Sequence, residues 1–233
     1  MKTAQQIIGE VKEIFATPKW QTRNGTKVPE PEDVKLGNDA VLLDGTVLYA
    51  DMADSTALVN GHKDWFAAEV YKSYLVAACH VIRNNSGVIT AFDGDRVMAV
   101  YIGDYKNSSA AKTALQLNWA VSEINAALKA AYPNSTFELR HSVGVDASSL
   151  FVARTGIRNS KDLVWVGRAA NYAAKLSGIS DNSAGAFITE PVFNKLSDET
   201  KYGGNPRQSM WVRSHWQERN ITIYKTNWTW KPS

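Results

Sequence analysis

The sequence predicts an α/β protein in which helices pack against a mixed central β-sheet. Apolar residues recur at every third or fourth position over His62–Asn84 and again over Ser108–Tyr132, which predicts two long amphipathic helices. Between them, Gly87–Gly103 holds two short runs of β-forming residues joined by a turn signal, which predicts a hairpin. Strand patterns interleaved with helical ones favour an α+β sandwich, a mixed sheet with flanking helices.

The N-terminal part of the chain predicts a helix and an arm ahead of one main domain. The apolar residues of Thr3–Ala16 have helical spacing. Prolines and glycines interrupt the polar segment Thr17–Ala40, which indicates a linker. Thr46–Ala50 is a nearly continuous apolar run, as expected of a central strand covered on both faces, and it ends at Asp51. We therefore divide the chain into a helix and arm, residues 1–40, and a main domain, residues 41–233.

The second half of the chain predicts short strands and one more helix. The predicted strands are Phe137–Asp146, Leu150–Ala153, Leu163–Val166, Ala186–Thr189, Trp211–Arg213 and Asn220–Thr226. The helix starts at Gly167 and runs to about Ser177. The chain contains no internal repeat and no low-complexity tract.

Composition narrows the class of protein. A chain of 233 residues with 44% hydrophobic and 21% charged residues fits a folded globular protein and argues against disorder. The net charge of +3, without a basic run, does not indicate nucleic-acid binding. Residues 1–10 have no signal-peptide core, and no uncharged apolar run reaches the length of about 18 residues that spans a bilayer. We expect a cytoplasmic protein with neither nucleic-acid nor membrane partners.

The hairpin carries the first candidate site residue. Asp93 and Gly94 lie between its two strand-like runs, and an Asp-Gly pair in that position is a strong hairpin signal. Asp95 is then expected to open the second strand. Asp93 is explained by turn chemistry alone, since Asp is common in turns. Asp95 gains a further interpretation from Asp51.

Asp51 and Asp95 predict a metal site if their strands are neighbours. Asp51 closes a buried strand and Asp95 opens a hairpin strand, so the two carboxylates would converge. Two carboxylates without a compensating base are costly unless a cation lies between them. Mg²⁺ is typically held by one or two carboxylates together with substrate phosphates. The alternative is that both residues merely end strands and face water.

Three motifs in register resemble the class III nucleotidyl cyclases. Tyr49–Thr56 (YADMADST) resembles their first metal motif, and Gly94–Asp95 resembles the second. Val166–Leu176 resembles the third, in which a strand ends in Gly and a helix carries Asn and then Arg four residues later. The similarity covers roughly Val41 to Thr226 in the same order and spacing. It implies the class III cyclase catalytic fold for the main domain.

The resemblance implies a homodimer with active sites formed across the subunit interface. Asp51 and Asp95 of one chain would hold two Mg²⁺ or Mn²⁺ ions, with the Met52 carbonyl as a further ligand. Asn171 and Lys175 would come from the other chain, where residues four apart on a helix face the same side. Asn171 would orient the ribose of a nucleoside triphosphate, and Lys175 would neutralise charge on its α-phosphate. Lys175 stands where Arg is usual, which keeps the charge but loses the bidentate fork.

The base-reading positions depart from those of the purine cyclases. Those enzymes read the base with a Lys or Glu four residues before the second metal Asp, where this chain has Ala91, and with a residue three before the motif Gly, here Val164. Tyr49 replaces the common Phe two residues before Asp51. The combination resembles the pyrimidine cyclases of the Pycsar antiphage defence systems, which make cyclic UMP or cyclic CMP. Arg96 is unusual for the wider family, and contact with the substrate or a surface salt bridge would each explain it.

Several assignments stay open at this stage. The triphosphate-binding cation is expected in the C-terminal region, where Arg213, Arg219 and Lys225 are candidates. The favoured activity is conversion of UTP to cyclic UMP, an antiviral second messenger read by a separate cyclic-nucleotide-binding effector. The alternatives are a cytidylate cyclase, a purine cyclase with a rebuilt base pocket, and an inactive cyclase-like domain that dimerises or senses nucleotide.

Overall fold

The protein has the mixed α/β architecture that its sequence predicts, in a computed structural model that describes residues 2–16, 19–157 and 160–233. The helices are α1 (Ala4–Ala16), α2 (Ser55–Gly61), α3 (Asp64–Asn84), α4 (Lys106–Ala131), α5 (Arg168–Ser177), α6 (Glu190–Asn194) and α7 (Asp198–Lys201). The strands are β1 (Gln21–Asn24), β2 (Asp39–Met52), β3 (Val88–Asp93), β4 (Arg96–Tyr101), β5 (His141–Ile157), β6 (Ser160–Val166), β7 (Ala186–Thr189), β8 (Tyr202–Gly203), β9 (Gln208–Ser209), β10 (Val212–Trp216) and β11 (Ile221–Thr226). None of the described helices is both long and apolar enough to cross a membrane.

Several elements differ from the sequence-based expectation, among them β5 and α2. β5 is one continuous strand where two strands, Phe137–Asp146 and Leu150–Ala153, were predicted. Its polar residues Ser148 and Ser149 interrupt the apolar pattern, yet the backbone stays extended, and just beyond them Phe151 pairs with Val166 on β6. The short helix α2 was not predicted, because Leu58 is its one buried residue and seven residues show little periodicity.

The chain divides into two compact units. The larger comprises Gly45–Ser148 and Arg168–Ser233, and its sheet has the strand order β10-β11-β7-β5-β2-β4-β3. Helices α3 and α4 pack on each other and on this sheet. The core holds apolar side chains from β2, α3, β4, α4 and β5. This unit contains every predicted site residue except Val164.

The smaller unit comprises Met1–Asp44 and Ser149–Gly167. In it β1 pairs in parallel with the start of β2, and β6 pairs antiparallel with the end of β5. Part of the predicted linker arm is therefore a strand. Helix α1 has no buried residue, and its apolar side chains are exposed. The proposed division of the chain at residue 40 stays a prediction.

Close packing against β5 sets the position of α5. A Cβ atom on Gly144 would lie 2.1 Å from the carbonyl oxygen of Ala173 and 2.6 Å from the backbone nitrogen of Ser177, so only glycine admits the helix this near. At the start of α5, Arg168 donates to both carboxylate oxygens of the buried Asp146, over 3.0 and 3.2 Å. The helix is therefore fixed both along its length and at its first residue.

Candidate active site

The hairpin between β3 and β4 turns at Gly94 and Asp95, one residue later than the sequence suggests. β3 ends at Asp93, which pairs with Arg96 at the start of β4. Gly94 has a φ of +61° and is the only one of the two loop residues with positive φ, as in two-residue type II′ hairpins. Asp95 therefore lies in the loop and does not open the strand, because glycine takes the first central position of the turn.

Three neighbouring strands place a row of side chains on one face of the sheet. Met98 on β4 pairs with Tyr49 on β2 and with Ala91 on β3. Directly paired residues lie on the same face, so Tyr49, Met98 and Ala91 form one row across the sheet. Asp51 shares this face of β2 because side chains alternate, while Leu48 and Met52 point into the core.

Arg96 binds the Asp51 carboxylate directly. Its Nε and Nη2 atoms donate to the same oxygen, Oδ2, over 2.9 and 2.6 Å. The Asp51 side chain is only 14% exposed. Burial raises the pKa of Asp51, and the charges of Asp95 and Asp93 raise it further, while Arg96 opposes the rise. Burial therefore outweighs the ion pair with Arg96 in setting the pKa of this carboxylate.

Asp95 supplies an oxygen that has no partner. Its Oδ2 atom is buried and accepts no hydrogen bond from the described residues. An unpaired buried carboxylate oxygen is costly, and a cation removes the cost. Among the described residues no cluster of three or more His, Cys, Asp or Glu could hold a metal. Two carboxylates and the Met52 carbonyl are nevertheless a donor set that fits Mg²⁺ or Mn²⁺ completed by substrate phosphates.

A buried polar chain lies close to these carboxylates. The Tyr74 hydroxyl is 3.3 Å from Nδ1 of His141, and Nε2 of His141 is 2.8 Å from Oδ1 of Asn118. Asn118 donates its amide to the Trp228 carbonyl, so its oxygen accepts from His141, which is therefore protonated on Nε2. The charges of Asp51 and Asp95 add to the burial that raises the pKa of Tyr74. The sequence did not single out these residues, because each lies within an ordinary helix or strand pattern.

Asn171 and Lys175 share the exposed face of α5, as their spacing predicts. In the described part of the chain, no hydrogen bond or ion pair joins them to Asp51 or Asp95. Nζ of Lys175 donates to Oε1 of Glu218 over 3.0 Å, and Nη2 of Arg219 lies 3.2 Å from the same oxygen. The sequence analysis did not identify Glu218, although its position beside a candidate cation was a signal.

The three C-terminal cations have different surroundings. Nζ of Lys225 donates to Asp181 over 2.7 Å and also to Ser183. Arg213 donates to the Thr222 hydroxyl on the neighbouring strand over 3.0 Å. Arg219 alone of the three shares a carboxylate with Lys175. Val164 belongs to β6 in the smaller unit, pairs with Ala153 and is 41% exposed; its role at the base stays a prediction.

Comparison with known proteins gives close relatives. The chain is 49% identical over 215 residues to a protein named uridylate cyclase from Xanthomonas perforans, covering 91% of each chain. It is 45% identical over 232 residues to a second protein of that name, from Burkholderia cepacia, covering 99% of each. No protein-family model matches the chain.

Among solved structures, the fold is similar to that of the adenylyl cyclase CyaB from P. aeruginosa. The TM-score is 0.68 at 18% sequence identity, covering 80% of this chain and 94% of that one. At this identity the likeness concerns the fold alone. It confirms the fold predicted from the three motifs, a class III cyclase catalytic domain.

Proposed function

The chain belongs to the family of uridylate cyclases, and on that premise we propose that it converts UTP to 3′,5′-cyclic UMP and diphosphate. The observation that carries the proposal is the 49% identity to a uridylate cyclase over 91% of the chain. The candidate site supports it, because two acidic side chains lie beside a row that lacks the polar base readers of purine cyclases.

Asp51, Asp95 and the Met52 carbonyl would hold two Mg²⁺ or Mn²⁺ ions. When bound, such ions lower the pKa of the ribose 3′-hydroxyl and neutralise the triphosphate. The 3′-oxygen bonds to the α-phosphorus, the 3′-hydroxyl proton is released, and the bond to the diphosphate breaks. A metal that bound Oδ2 of Asp51 would displace Arg96 from that oxygen, and the guanidinium would then be free to contact the substrate.

The remaining catalytic groups would come from a second copy of the chain. Asn171 and Lys175 lie on a face of α5 that has no hydrogen bond or ion pair to Asp51 or Asp95 in the described residues. In a homodimer, Asn171 of the partner subunit would orient the ribose, and Lys175 of the partner subunit would stabilise charge growing on the α-phosphate. Arg219 would join Lys175 as the triphosphate-binding cation, since one carboxylate holds both side chains.

The row of Tyr49, Met98 and Ala91 would select a pyrimidine. Tyr49 is half-buried, and its ring narrows the space for the base, whereas Ala91 leaves no polar side chain to read a purine. A ring that fits one base and crowds a larger one gives specificity by exclusion as well as by contact. Arg96 would contact the substrate from the same face.

In the cell, we propose a cytoplasmic enzyme whose cyclic nucleotide is an antiviral second messenger, read by a separate effector protein. This role rests on the resemblance to the Pycsar cyclases.

The test is to incubate the purified protein with Mn²⁺ and each of the four nucleoside triphosphates separately, and to identify the product by mass spectrometry. We expect cyclic UMP from UTP and little product from ATP or GTP. Cyclic CMP alone would establish a cytidylate cyclase, and cyclic purine nucleotides would establish a purine cyclase. Absence of product from a folded protein would favour an inactive, nucleotide-sensing domain. Asp95→Asn protein, prepared in parallel, controls for contaminating cyclases.

A further inference from the structure

One carboxylate oxygen of the larger unit contacts two cationic side chains. Oε1 of Glu218 is 3.0 Å from Nζ of Lys175 and 3.2 Å from Nη2 of Arg219. Lys175 lies in the last turn of α5, and Glu218 and Arg219 lie in the turn between β10 and β11. The positive charges of Lys175 and Arg219 repel each other, so the two side chains lie close together only while the Glu218 carboxylate is present.

The turn that presents Glu218 is fixed to α5 by packing. Trp216, the last residue of β10, meets Tyr172 of α5 edge to face, with ring centroids 5.4 Å apart. Trp216 and Leu176 are buried in one apolar cluster. The backbone nitrogen of Arg219 donates to the Trp216 carbonyl, and Asn220 completes the turn with a φ of +52°. Glu218 therefore approaches Lys175 from a defined direction.

A lysine at this position needs such a partner more than an arginine does. The ammonium group is a point charge on a flexible four-carbon stem, whereas a guanidinium is a planar fork that keeps its orientation with fewer contacts. Lys175 and Glu218 are both about half exposed, at 45% and 55%, so their ion pair adds little to folding stability. The main effect of this ion pair should be to fix the position of the Lys175 ammonium group.

We propose that Glu218 is a positioning residue, which holds Lys175 and Arg219 together as a paired cationic site for the phosphates of the substrate. The inference rests on the proposed function, in which Lys175 stabilises charge on the α-phosphate. Glu218 itself does not touch the substrate. Its carboxylate sets where the ammonium group lies and screens its repulsion from the guanidinium. In this family member, the carboxylate compensates for the replacement of the usual arginine by Lys175.

The test is a double-mutant cycle of Glu218→Gln and Lys175→Arg, with kcat and KM measured on UTP. Glu218→Gln keeps the shape of the side chain but removes its charge. We expect kcat to fall about tenfold, since a misplaced cation stabilises the transition state poorly. The melting temperature should stay within about 1 °C of wild type, because the pair is exposed. In the Lys175→Arg background the same change should cost only about twofold.

Asp198→Asn is the matched control, because Asp198 is an exposed carboxylate whose ion pair, at 3.4 Å, is with Arg207 and not with Lys175 or Arg219. It should leave kcat unchanged. An unchanged or increased kcat in Glu218→Gln overturns the inference, and so does an equal loss in both Lys175 backgrounds. In these cases wild-type turnover of UTP leaves the proposed function standing. A wild-type protein that turns over no nucleotide overturns both.

Discussion

Arg96 donates two hydrogen bonds to one oxygen of Asp51, over 2.9 and 2.6 Å, whereas the buried Oδ2 of Asp95 accepts none from the residues that the structure describes. Of the two candidate metal carboxylates, Asp51 is therefore paired with a cationic side chain of the same chain, whereas the buried oxygen of Asp95 has no partner among the described residues. A divalent ion that bound Oδ2 of Asp51 would compete with the Arg96 guanidinium for that oxygen.

The competition predicts that Arg96→Ala tightens metal binding in the absence of nucleotide. Removing a charge-assisted hydrogen bond from Asp51 removes the competitor, and such bonds contribute about 1.5–3 kcal/mol, so we expect the Kd for Mn²⁺ to fall about tenfold or more. Titration calorimetry without nucleotide measures it. Arg207→Ala, which removes an exposed arginine from a different ion pair, is the control. An unchanged Kd would show that Arg96 leaves Asp51 at no cost.

Asp95→Asn should lower the activity of the protein without lowering its stability. The amide cannot bind a divalent ion as the carboxylate does, so turnover of UTP should fall at least about a hundredfold. The metal-free protein should be as stable as wild type or more so, because the change removes the negative charge from a side chain whose buried oxygen has no partner among the described residues. Enzyme assays and thermal unfolding in EDTA report the two quantities. Retention of full activity would contradict the metal assignment of Asp95, and a large drop in stability would contradict its lack of a partner.

Activity should require two chains. Asp51→Ala and Asn171→Ala proteins should each be inactive, and a mixture that exchanges subunits should recover about a quarter of wild-type activity, since half the dimers are mixed and each has one intact site. Mixing Asp51→Ala with Asp95→Ala is the matched control and should recover nothing, because both changes affect the same half of the site. Exchange is checked by native mass spectrometry. Exchange without recovery would refute a shared site.

Tyr49 should contribute to the choice of base. Tyr49→Ala removes the aromatic ring from the row that Tyr49 forms with Met98 and Ala91. It should therefore lower kcat/KM for UTP by an amount equivalent to about 1–3 kcal/mol, and it should reduce the discrimination against ATP and GTP. Tyr49→Phe keeps the ring and should keep the discrimination. Assays of all four nucleotides with saturating Mn²⁺ decide the matter. Equal UTP turnover with unchanged purine rejection would leave Tyr49 as a packing residue.

His141 should make the protein less stable in mild acid. Burial lowers the pKa of His141 to about 4, against a value of 6.5 when it is exposed. As the pH falls from 6.5 towards 4, the unfolded chain binds a proton that the folded one does not, so stability present above pH 6.5 is lost by about 1.4 kcal/mol per pH unit. Asp51 acts in the opposite direction, because its pKa is raised.

Urea unfolding between pH 7 and pH 4.5 measures this dependence. His141→Gln should lose less stability over the range than wild type does, while His80→Gln, a change at an exposed histidine, should follow the wild type. The contribution of Asp51 is common to all three proteins and cancels in the comparison. If the free energy of unfolding of wild type and of His141→Gln had the same dependence on pH, the His141 ring would become positively charged in the folded protein as readily as in the unfolded chain.

The sequence predicted the elements that repeat regularly and missed those that depend on tertiary contacts. Helix α3 was predicted within two residues of its start, because Phe66, Val70 and Tyr74 follow the helical period. The continuity of β5 was missed, since its pairing with β6 outweighs a local loss of apolar pattern. The turn of the hairpin was misplaced by one residue, because a two-residue hairpin loop accepts glycine at its first position as well as at its second.

Only the candidate site residues that lie within the three motifs could be predicted from the sequence. Asp51, Asp95, Asn171 and Lys175 were identified as candidates from three motifs, and their roles stay predictions, whereas Glu218 was not identified from the sequence. Its significance depends on the packing of Trp216 against Tyr172, which brings together two elements more than forty residues apart in sequence. Met98 was missed for a similar reason, since its place between Tyr49 and Ala91 follows from the register of three strands.

A β-bulge between Ile89 and Ala91 divides β3 into two halves that pair with β4 in different registers. Past the bulge, Ala91 faces Met98 in a register set by the turn at Gly94, whereas before it Ile89 faces Ala99 and packs against the core. The extra residue, Thr90, absorbs the difference between the two registers. Substitutions at Ala91 would therefore change the proposed base pocket without moving Ile89. Division of the strand in this way would let the shape of that pocket change while the hydrophobic core stays the same.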